Sequence, residues 1–450
     1  MIEITDLNGQ KAVNMCRAIQ ANGKEAWLVG GAIRDLLMGN QPHDYDIATN
    51  ASTDQIMRWF PKVITTGIKH GTVTVLVGEH SYEVTTYRGE SGYSDGRRPD
   101  MTYSVHSIEE DLARRDFSVN AIAWDPVADK WCDPFGGSAD LALKRIRCVG
   151  NPMERFKEDG LRCLRACRFA ATLEFEIEDK TKAAIRENHE TYSKVSVERV
   201  VAEWKKALKA ERPSVAFNAM ANTGLLWITV PEFADSFGCK QNKYHFYEVF
   251  THVMVTLDAC PKDEIVQLAA LFHDIAKPMC KGVHSVTGQP TFYNHEEQGA
   301  IMTRDIMTRL KFSTDEIEQV TNLVRHHLLP RDDISNAALR RWVRKVGTEN
   351  VDRLLALAQA DLEGKGPAEI QIPSDFVSKF RERIQKLGEV APIVSKTSQL
   401  AINGNDVMEF LGIGPGKEVG FKLEELLEYV TEFPGNNRRE CLLDMLAHCG

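Results

Sequence analysis

The 450-residue chain has the composition of an ordinary globular protein, with 43% hydrophobic and 26% charged residues and a formal net charge of −9. This charge excludes a global attraction to nucleic acid, so such a partner would have to be held by local basic patches. No apolar run approaches the ~18 residues that span a bilayer, and the start lacks the features of a signal peptide. The ten cysteines form no CxxC pair. Together these features predict a cytoplasmic protein with reduced thiols and about three domains.

The segment 28–49, LVGGAIRDLLMGNQPHDYDIAT, is the first with the residues of a catalytic site. A short apolar strand ends in Gly30 and Gly31, and a short helix and a second strand are predicted to follow. Paired glycines let the backbone approach a ligand closely, and the helix they open offers N–H groups to phosphate. On a strand, Asp44 and Asp46 point to the same face, and such a carboxylate pair suits Mg²⁺. The pattern predicts nucleotidyl transfer, and the alternative is two surface aspartates after a turn.

The segment 52–87 predicts a capped helix followed by three strands rich in Val, Ile and Thr, at 54–59, 63–65, 72–77 and 82–87. The last strand carries Glu83, a third carboxylate that would complete a metal site with the two aspartates. The alternative for Glu83 is an ordinary charge on an edge strand. The polar segment 89–100 predicts a flexible loop whose Arg97 and Arg98 are available for phosphate contacts.

A cluster of charged residues follows in the segment 109–123, EEDLARRDFSVNAIA. Asp116 and Asn120 are four residues apart and would share a face if the segment is helical. Asn120 suits a hydroxyl partner, and the neighbouring Arg114 and Arg115 suit phosphate. The alternative is a charged helix face that is merely solvated.

From about residue 152 onward the sequence predicts helices almost throughout. On a predicted helix over 154–173, Asp159 and Arg162 are three residues apart, as are Arg162 and Arg165. An Asp and an Arg held rigidly together can present an acceptor and a donor to the edge of a base. The alternative is an intrahelical salt bridge, which contributes only about 0.2–0.5 kcal/mol.

Histidine is concentrated in the third part of the chain, where seven of the thirteen histidines fall within residues 245–327. The pair His273-Asp274 is predicted inside an apolar helix, where buried charge is costly unless it binds something. Imidazole and carboxylate ligands spread over several helices suit a transition metal or a mixed metal pair. The predicted ligands are His252, His273, Asp274 and Asp361, and the neighbouring histidines of the group are His295, His326 and His327.

Together these motifs resemble the class II tRNA nucleotidyltransferases, the CCA-adding enzymes, and their bacterial poly(A) polymerase relatives. The resemblance runs in unbroken order over about 27–200, through LVGGAIRDLLMG, DYDIAT, HGTVTV, YEVTTYR, GRRPD, EEDLARRDFSVNAIA, DPFGG, RFKEDGLRCLRACRFA and SVERV. The later part resembles the HD phosphohydrolase domain that some bacterial members carry behind the polymerase. The implied fold is α+β: a mixed-sheet nucleotidyltransferase head (1–145), a helical neck (146–235), an HD domain (236–370) and a helical tail (371–450).

The resemblance also implies a role for each candidate residue. One Mg²⁺ ion would lower the pKa of the RNA 3′-hydroxyl and a second would stabilise the leaving pyrophosphate during in-line attack on the α-phosphate. The implied roles are metal binding and catalysis for Asp44, Asp46 and Glu83; triphosphate contact for Gly30, Gly31 and Arg34; ribose recognition for Arg115, Asp116 and Asn120; and recognition of the base of CTP or ATP for Asp159 and Arg162, with Arg165 nearby.

The expected activity is addition of CCA to tRNA from CTP and ATP, because members that add only CC lack part of the basic loop found here at 89–100. Addition of A alone, or poly(A) synthesis, is the alternative. The HD segment would be either a phosphohydrolase for 2′,3′-cyclic or 2′-phosphate ends, using Ni²⁺, Mn²⁺ or Mg²⁺, or a helical scaffold that grips tRNA. DNA and membranes are not expected partners, and the sequence does not indicate an oligomeric state.

Two other classes fit the sequence less well. Nucleotide alarmone enzymes combine an HD hydrolase with a nucleotide-transferring domain in the reverse order, and they lack the RRDF and EDGLR motifs. A non-catalytic RNA-binding protein would have no reason to keep three carboxylates at metal-binding spacing. Metal-dependent incorporation of labelled CTP separates all three classes.

Overall fold

The computed structural model describes residues 4–68, 71–91, 101–105, 107–331, 333–366, 375–390 and 392–448. Arg97 and Arg98 of the predicted loop lie outside these residues. The chain forms two compact units, Met1–Pro231 and Glu232–Gly450. The finer division into four domains stays a prediction.

The first unit begins with a region of alternating strands and short helices. In chain order its elements are α1 (Leu7–Ala21), β1 (Ala26–Val29), α2 (Gly31–Leu37), β2 (Asp46–Thr49), α3 (Thr53–Trp59), β3 (Val63–Ile64), β4 (Thr72–Val77), β5 (His80–Thr86), β6 (Arg88–Ser91), β7 (Met101–Ser104), α4 (Ile108–Ala113), β8 (Ala123–Asp125), β9 (Lys130–Cys132) and α5 (Gly137–Ala142).

A seven-stranded mixed sheet organises this region, with strand order β3-β4-β5-β2-β1-β8-β9. Strands β2 and β5 are parallel, and the other neighbouring pairs are antiparallel. Strand β1 is buried along its whole length because both faces of the sheet are covered. Leu28 packs in the core on one face of the sheet, and Val29 packs in the core on the other. This confirms the predicted mixed-sheet head.

The rest of the first unit is mainly helical. Its elements are β10 (Arg145–Ile146), α6 (Pro152–Glu158), α7 (Leu161–Leu173), β11 (Glu176–Ile177), α8 (Asp179–Glu187), α9 (His189–Ser193), α10 (Val197–Leu208), α11 (Ser214–Thr223) and α12 (Leu225–Thr229). Helix α7 packs against α10 and α11. The short parallel ladder of β10 and β11 shows that the predicted neck is not helical throughout.

Local chemistry explains where several predicted elements begin and end. Helix α3 starts with a capping box between Ser52 and Gln55, which confirms the predicted cap. Strand β2 begins only at Asp46, so Asp44 precedes the strand on which it was predicted. The predicted helix 154–173 is wrong as one element, because it breaks between α6 and α7. A Cβ added at Gly160 would lie 2.5 Å from the Thr191 carbonyl oxygen, so this close approach requires glycine.

The segment 109–123, in which Asp116 and Asn120 would share a face if it were helical, is only partly helical. Helix α4 ends at Ala113, because the following residues pair with a distant segment instead of continuing the helix. The Ser118 N–H donates to the Arg147 carbonyl at 2.9 Å, and Phe117 forms an isolated bridge with Cys148. Asn120 therefore lies in a single turn of 3₁₀-helix rather than on α4.

Among the residues described, the second unit consists of ten α-helices, several short 3₁₀-helices and one hairpin of two-residue strands. The elements are α13 (Val249–Ala259), α14 (Glu264–Phe272), β12 (Gly282–Val283), β13 (Pro290–Thr291), α15 (His295–Arg309), α16 (Thr314–His326), α17 (Asn336–Val346), α18 (Val351–Gly364), α19 (Phe376–Val390), α20 (Gly404–Leu411), α21 (Lys417–Glu432) and α22 (Arg439–His448).

The helices of this unit form two packed groups. Helices α13, α14, α16 and α18 pack against one another, and α15 packs along α16. A separate apolar cluster with Val407, Leu426 and Leu442 joins α20, α21 and α22. Within the described residues, no helix combines the length and apolarity needed to cross a bilayer. The nine cysteines in the described ranges are all free.

Candidate active site and metal centre

Three carboxylates lie on or next to the parallel strands β2 and β5: Asp44 precedes β2, Asp46 begins it, and Glu83 lies on β5. Ile47 pairs with Val84, so Asp46 and Glu83 occupy the preceding positions on the two parallel strands. Burial, followed by the negative charges of Glu83 and Asp44, raises the pKa of Asp46 to about 6 in spite of a lowering by Arg115. A divalent cation would relieve this repulsion, so the oxygen-only donor set fits Mg²⁺.

The carboxylates of the head are arranged more openly than a preformed metal cage. Asp46 is half-buried, whereas Asp44 and Glu83 are exposed. Among the residues described, the groups whose potential ligand atoms all lie within 4.8 Å of one another belong to the second unit, and the head carboxylates are not one of these groups. The proposed role of the three as metal ligands rests on their adjacency and charge.

Gly30 lies next to both the Asp46 carboxylate and the Arg115 guanidinium. Its φ of +75° lies in the left-handed region that favours glycine. A Cβ at this position would lie 2.7 Å from Arg115 Nη1 and 3.9 Å from Asp46 Oδ2, so any side chain here would displace the Arg115 guanidinium. Helix α2 begins at the next residue, Gly31, and Gly30 supplies no side-chain cap. Backbone N–H groups therefore lie next to Asp46 and the Arg115 guanidinium.

A hydrogen-bonded network connects Arg34 to Arg165. Arg34 Nη1 donates to Asn120 Oδ1 at 2.8 Å, and Asn120 Nδ2 donates to Asp116 Oδ1 at 3.2 Å. Asp116 Oδ2 accepts from Arg165 Nε at 2.8 Å. Burial opposes ionisation of Asp116, but Arg165 and the other donors hold its pKa at about 2. Asp116 and Asn120 do meet as predicted, although a turn and not a shared helix brings them together.

The two predicted base-reading residues have different partners from those expected. Asp159 is the C-cap of α6, and both its oxygens accept from Arg199, at 2.8 and 3.3 Å. Arg162 is buried in α7 and donates to Glu158 Oε2 at 2.6 Å and to the Arg114 carbonyl at 3.0 Å. The predicted placement of Asp159 and Arg162 on one face of a single helix is wrong, because the break at Gly160 puts Asp159 at the end of α6 and Arg162 in α7.

Sequence reasoning missed Arg199 and Glu203 on α10, which form ion pairs with Asp159 and with the arginines of α7. Glu203 is buried and pairs with Arg168 at 2.9 Å and with Arg165 at 3.8 Å. Arg168 stacks over the Phe169 ring at 3.5 Å from the ring centroid. The SVERV motif contains Arg199 and was a usable signal, whereas Glu203 is part of an ordinary amphipathic helix.

The second unit contains a buried cluster of imidazoles and carboxylates drawn from four helices and their ends. His252 lies on α13 and Asp361 on α18, while His273 and Asp274 directly follow the last residue of α14. The pair was predicted inside the helix, and it instead terminates it. His295 begins α15, and the whole group is buried.

The ligand atoms of this cluster converge on one another. His252 Nε2 lies 3.0 Å from Asp361 Oδ1 and 3.2 Å from His273 Nε2. Asp274 Oδ2 lies 3.2 Å from His273 Nε2. Burial opposes protonation of His273, but Asp274 and Asp361 raise its pKa to about 9. In turn, His273 and Lys277 hold the pKa of the Asp274 carboxyl well below its usual range despite burial. Lys365, with His252 and His273, does the same for Asp361.

The chain turns the histidines toward this common centre. His252 Nδ1 is hydrogen-bonded to the Gly364 carbonyl at 2.9 Å, and His273 Nδ1 to the Ala270 carbonyl at 2.7 Å. A Cβ at Gly364 would lie 2.1 Å from Thr256 Oγ1, so glycine allows α18 to approach α13 and present this carbonyl. Backbone anchoring of Nδ1 turns Nε2 toward the centre, and in the neutral ring this Nε2 carries the lone pair that would bind a metal ion.

A cavity of about 330 Å³ opens beside the cluster. Its walls include Asp274, Lys277, His295, His327 and Lys365. The buried Lys277 ammonium lies 2.6 Å from Asp274 Oδ2. The cavity therefore combines potential metal ligands with two cationic side chains, which is suitable for a small anionic ligand such as a phosphate group.

Three family models match successive segments of the chain. The Poly A polymerase head domain matches residues 26–147, the RNA and SrmB-binding site of polymerase A matches 174–237, and the tRNA nucleotidyltransferase domain 2 matches 298–446. His252, His273, Asp274 and His295 lie between the second and third of these segments.

Curated relatives extend the similarity to almost the whole chain. The CCA-adding enzyme of Enterococcus faecalis is 33% identical over 96% of this chain and 94% of its own length. That of Lactobacillus delbrueckii subsp. bulgaricus is 35% identical over 99% of both chains. Among solved structures, the Bacillus stearothermophilus CCA-adding enzyme in complex with CTP is 27% identical, with a TM-score of 0.73 over 99% of this chain and 98% of that one.

Proposed function

The chain belongs to the family of the CCA-adding enzymes and is a tRNA nucleotidyltransferase, and from this premise we propose that it adds the complete CCA sequence to the 3′ end of tRNA. CTP and ATP are the nucleotide substrates in this proposal. The observation that carries it is the parallel pairing of β2 with β5, with Asp46 beside Glu83 and against Gly30 and Arg115. The CTP complex of the Bacillus relative supports the choice of substrate.

The head carboxylates Asp44, Asp46 and Glu83 would hold two Mg²⁺ ions, which when bound activate the 3′-hydroxyl and neutralise charge on the leaving pyrophosphate. Gly30 and Gly31 would let the backbone N–H groups approach the triphosphate. Positioning and charge neutralisation would supply most of the rate, because phosphoryl transfer requires little covalent chemistry from the protein.

Arg34, Arg115 and Asn120 would grip the nucleotide around the reacting phosphate. Arg34 supplies further guanidinium donors beyond the one bound to Asn120. The Asn120 amide is fixed by Asp116 on one side and Arg34 on the other, so its second N–H is positioned for a ribose hydroxyl. Arg165 acts through Asp116, because it holds that carboxylate ionised and in place.

Asp159 and Arg162 would select the base by hydrogen bonding to its edge. A carboxylate accepts from the exocyclic amino groups that cytosine and adenine share, and a guanidinium donates to their ring nitrogens. Arg199 holds both oxygens of Asp159 and would set the direction of this acceptor. This arrangement explains why one site would accept both CTP and ATP and reject bases that carry a carbonyl at that position.

The test is incubation of the purified chain with tRNA lacking its CCA end, with CTP, ATP or both, followed by sequencing of the 3′ end. CC addition with CTP alone and CCA with both nucleotides is the expected result. ATP-only tailing of generic RNA would instead support the alternative, poly(A) or A-only addition. Omission of Mg²⁺ should abolish every product.

We also propose that the second unit is an HD-type metal phosphohydrolase acting on 2′,3′-cyclic or 2′-phosphate ends of RNA. The buried group of His252, His273, Asp274 and Asp361 supports this, because two helices and the end of a third contribute to one centre. In the monoester reaction, water bonds to phosphorus, the P–O bond to the ribose breaks, and a water proton passes to the ribose oxygen. Mn²⁺, Ni²⁺ or Mg²⁺ would supply the activated water.

Phosphatase activity measured on a 2′-phosphorylated RNA end tests this second function. The wild type should release phosphate with at least one of the three metals, and His273→Gln should not, while CCA addition continues. A wild type that is inactive with Mn²⁺, Ni²⁺ and Mg²⁺ would favour the alternative, a helical scaffold that grips tRNA.

A further inference from the structure

We propose that Asp111 is a positioning residue for nucleotide addition, which directs the Arg115 guanidinium toward the nucleotide triphosphate and keeps it from pairing with Asp46. This inference rests on the proposed contact of Arg115 with the nucleotide and adds the residue that sets its direction. Asp111 touches neither the nucleotide nor the reacting atoms in this proposal, and it acts only through Arg115.

Asp111 is a fully buried carboxylate on α4. Its Oδ1 atom accepts from Arg114 Nε at 2.9 Å and from Arg114 Nη2 at 2.8 Å. Two charge-assisted bonds from one guanidinium fix the carboxylate in place. The second oxygen, Oδ2, lies 3.6 Å from Arg115 Nη2. One buried carboxylate is therefore held by the first arginine and faces the second.

The contact between Asp111 and Arg115 is an ion pair without a hydrogen bond. Within the part of the chain that the structure describes, neither Asp111 Oδ2 nor the buried Arg115 Nε has a hydrogen-bond partner. A buried polar atom left unpaired is energetically costly, so we would expect a purely structural pair to close to hydrogen-bonding distance. The open contact instead leaves N–H groups of Arg115 available to an incoming anion.

The other neighbours hold Arg115 only loosely. Its Nη1 atom donates to the Asn120 carbonyl at 3.4 Å, which is longer than a typical N–H···O bond. The same atom and Asp46 Oδ2 both lie close to Gly30. Among the described residues, the ion pair of Arg115 is with Asp111, and none is formed with Asp46. The guanidinium therefore has a carboxylate on either side, and its direction depends on which of them attracts it more strongly.

The charges around Arg115 explain why Asp111 decides this direction. Burial lowers the pKa of the Arg115 guanidinium, and Asp111 opposes this more strongly than Asp46 or Asp116 does. Without the charge of Asp111, the next strongest attraction is Asp46. A closed pair of Arg115 with Asp46 would withdraw the guanidinium from the triphosphate and would also neutralise a carboxylate of the proposed metal site.

Asp111→Asn tests the proposal, because the amide keeps an oxygen acceptor for Arg114 and nearly the same volume but removes the charge. CTP incorporation into tRNA lacking its CCA end should show a kcat about ten- to a hundred-fold below wild type, as expected for a misplaced phosphate contact. The KM for CTP should not rise, since removal of a negative charge does not weaken the binding of an anionic nucleotide. A wild-type kcat, or a raised KM of the kind that a loosened site produces, would overturn the proposal.

A double-mutant cycle with Arg115 shows whether Asp111 acts through that residue. Arg115→Gln alone should lower kcat/KM for CTP by at least about a hundred-fold, because a charged phosphate contact is lost. Asp111→Asn should have no further effect in the Arg115→Gln protein, because no guanidinium is left to direct. If the two losses multiply instead, Asp111 acts independently of Arg115 and the proposal is wrong.

Glu110→Gln is the matched control, because Glu110 is an exposed carboxylate on the same helix, and it should keep the kcat and KM of wild type. Asp111→Ser also removes the charge and keeps an oxygen acceptor. It takes the place of Asp111→Asn if circular dichroism shows that the latter does not fold. Failure of both variants to fold would assign Asp111 to the stability of the head and overturn the proposal.

The wild-type protein separates this inference from the proposed function. If wild type incorporates no CTP, complete CCA addition is rejected, and the same cycle measured with ATP decides the role of Asp111. If wild type adds CCA and Asp111→Asn retains the wild-type kcat, this inference alone fails.

Discussion

The two candidate metal sites present their ligands in opposite ways. In the head, Asp44 and Glu83 are exposed and Asp46 is half-buried, and the mutual repulsion of the three carboxylates contributes to the raised pKa of Asp46. In the second unit, the ligands are buried, and each histidine of the cluster is anchored by a backbone carbonyl. An open set of oxygens suits Mg²⁺ that arrives and leaves with a nucleotide triphosphate. A buried and oriented nitrogen-rich set suits an ion that stays with the protein.

The largest expected effect is on nucleotide addition. Asp46→Asn or Asp44→Ala should reduce CTP incorporation by at least about a thousand-fold, because each removes a ligand for the charge-neutralising ions. Phosphate release by the second unit should not change. Glu79→Gln alters an exposed carboxylate in the β4–β5 turn and is the control. Near-normal incorporation by either aspartate variant would remove these residues from the catalytic role.

The reciprocal change should affect only the second unit. His273→Gln is expected to lose resident metal and to reduce phosphate release by at least about a hundred-fold, since the centre loses an oriented imidazole. CCA addition by the same preparation should stay within about two-fold of wild type. Metal analysis and both assays on one sample check this, and a parallel loss of both activities would contradict two independent sites.

Nucleotide choice provides a finer test of the head. Asp159→Ala should lower the discrimination between CTP and UTP, and blur the choice between CTP and ATP, by about 10- to 100-fold, because the acceptor for the amino group is lost. Arg199→Ala should have the same effect more weakly, since it only orients Asp159. Single-nucleotide incorporation with each triphosphate measures this, and Lys194→Ala, an exposed neighbour, is the control. A uniform loss of rate with intact selection would reject the role in base recognition.

Metal removal should destabilise the second unit. An ion at a hundred times its dissociation constant contributes about 2.7 kcal/mol to the free energy of unfolding. Wild type and His326→Gln should therefore unfold at lower temperature in chelator than in Mn²⁺, while His273→Gln should show little difference. Calorimetry in both buffers measures this. Equal transitions for wild type with and without chelator would argue against a resident ion.

The smallest expected effect concerns the head without metal. The pKa of Asp46 is raised to about 6 from an ordinary 3.8, so its ionised form destabilises the fold above pH 6. Asp46→Asn should raise the free energy of unfolding in chelator at pH 7.5 by about 1–2 kcal/mol, after allowance for solvent screening. The gain should shrink as the pH falls through 6 toward 4, where wild-type Asp46 takes up its proton. Urea unfolding at pH 7.5 and 5 measures this, and an equal change at both pH values would contradict it.

The local sequence pattern was sufficient to predict most of the strands and helices of the head. Val/Ile/Thr-rich runs predicted β4 and β5, and the Ser52 cap predicted the start of α3, because these signals depend only on neighbouring residues. The single helix predicted over 154–173 failed because α7 is separated from α6 by the close approach of Gly160 to Thr191. The conditional helix through Asp116 and Asn120 does not form either, because Phe117 pairs with the distant Cys148.

The sequence by itself determined the kind of protein, a mixed-sheet head followed by helices, and the residue types of both sites. Only the tertiary structure decided which side chains meet. It separated His327 from His326, gave Asp159 the partner Arg199, and set one oxygen of Asp274 toward each pair of histidines. The reason is that strand register and helix packing join residues that are tens of positions apart in the chain, and no local periodicity records that pairing.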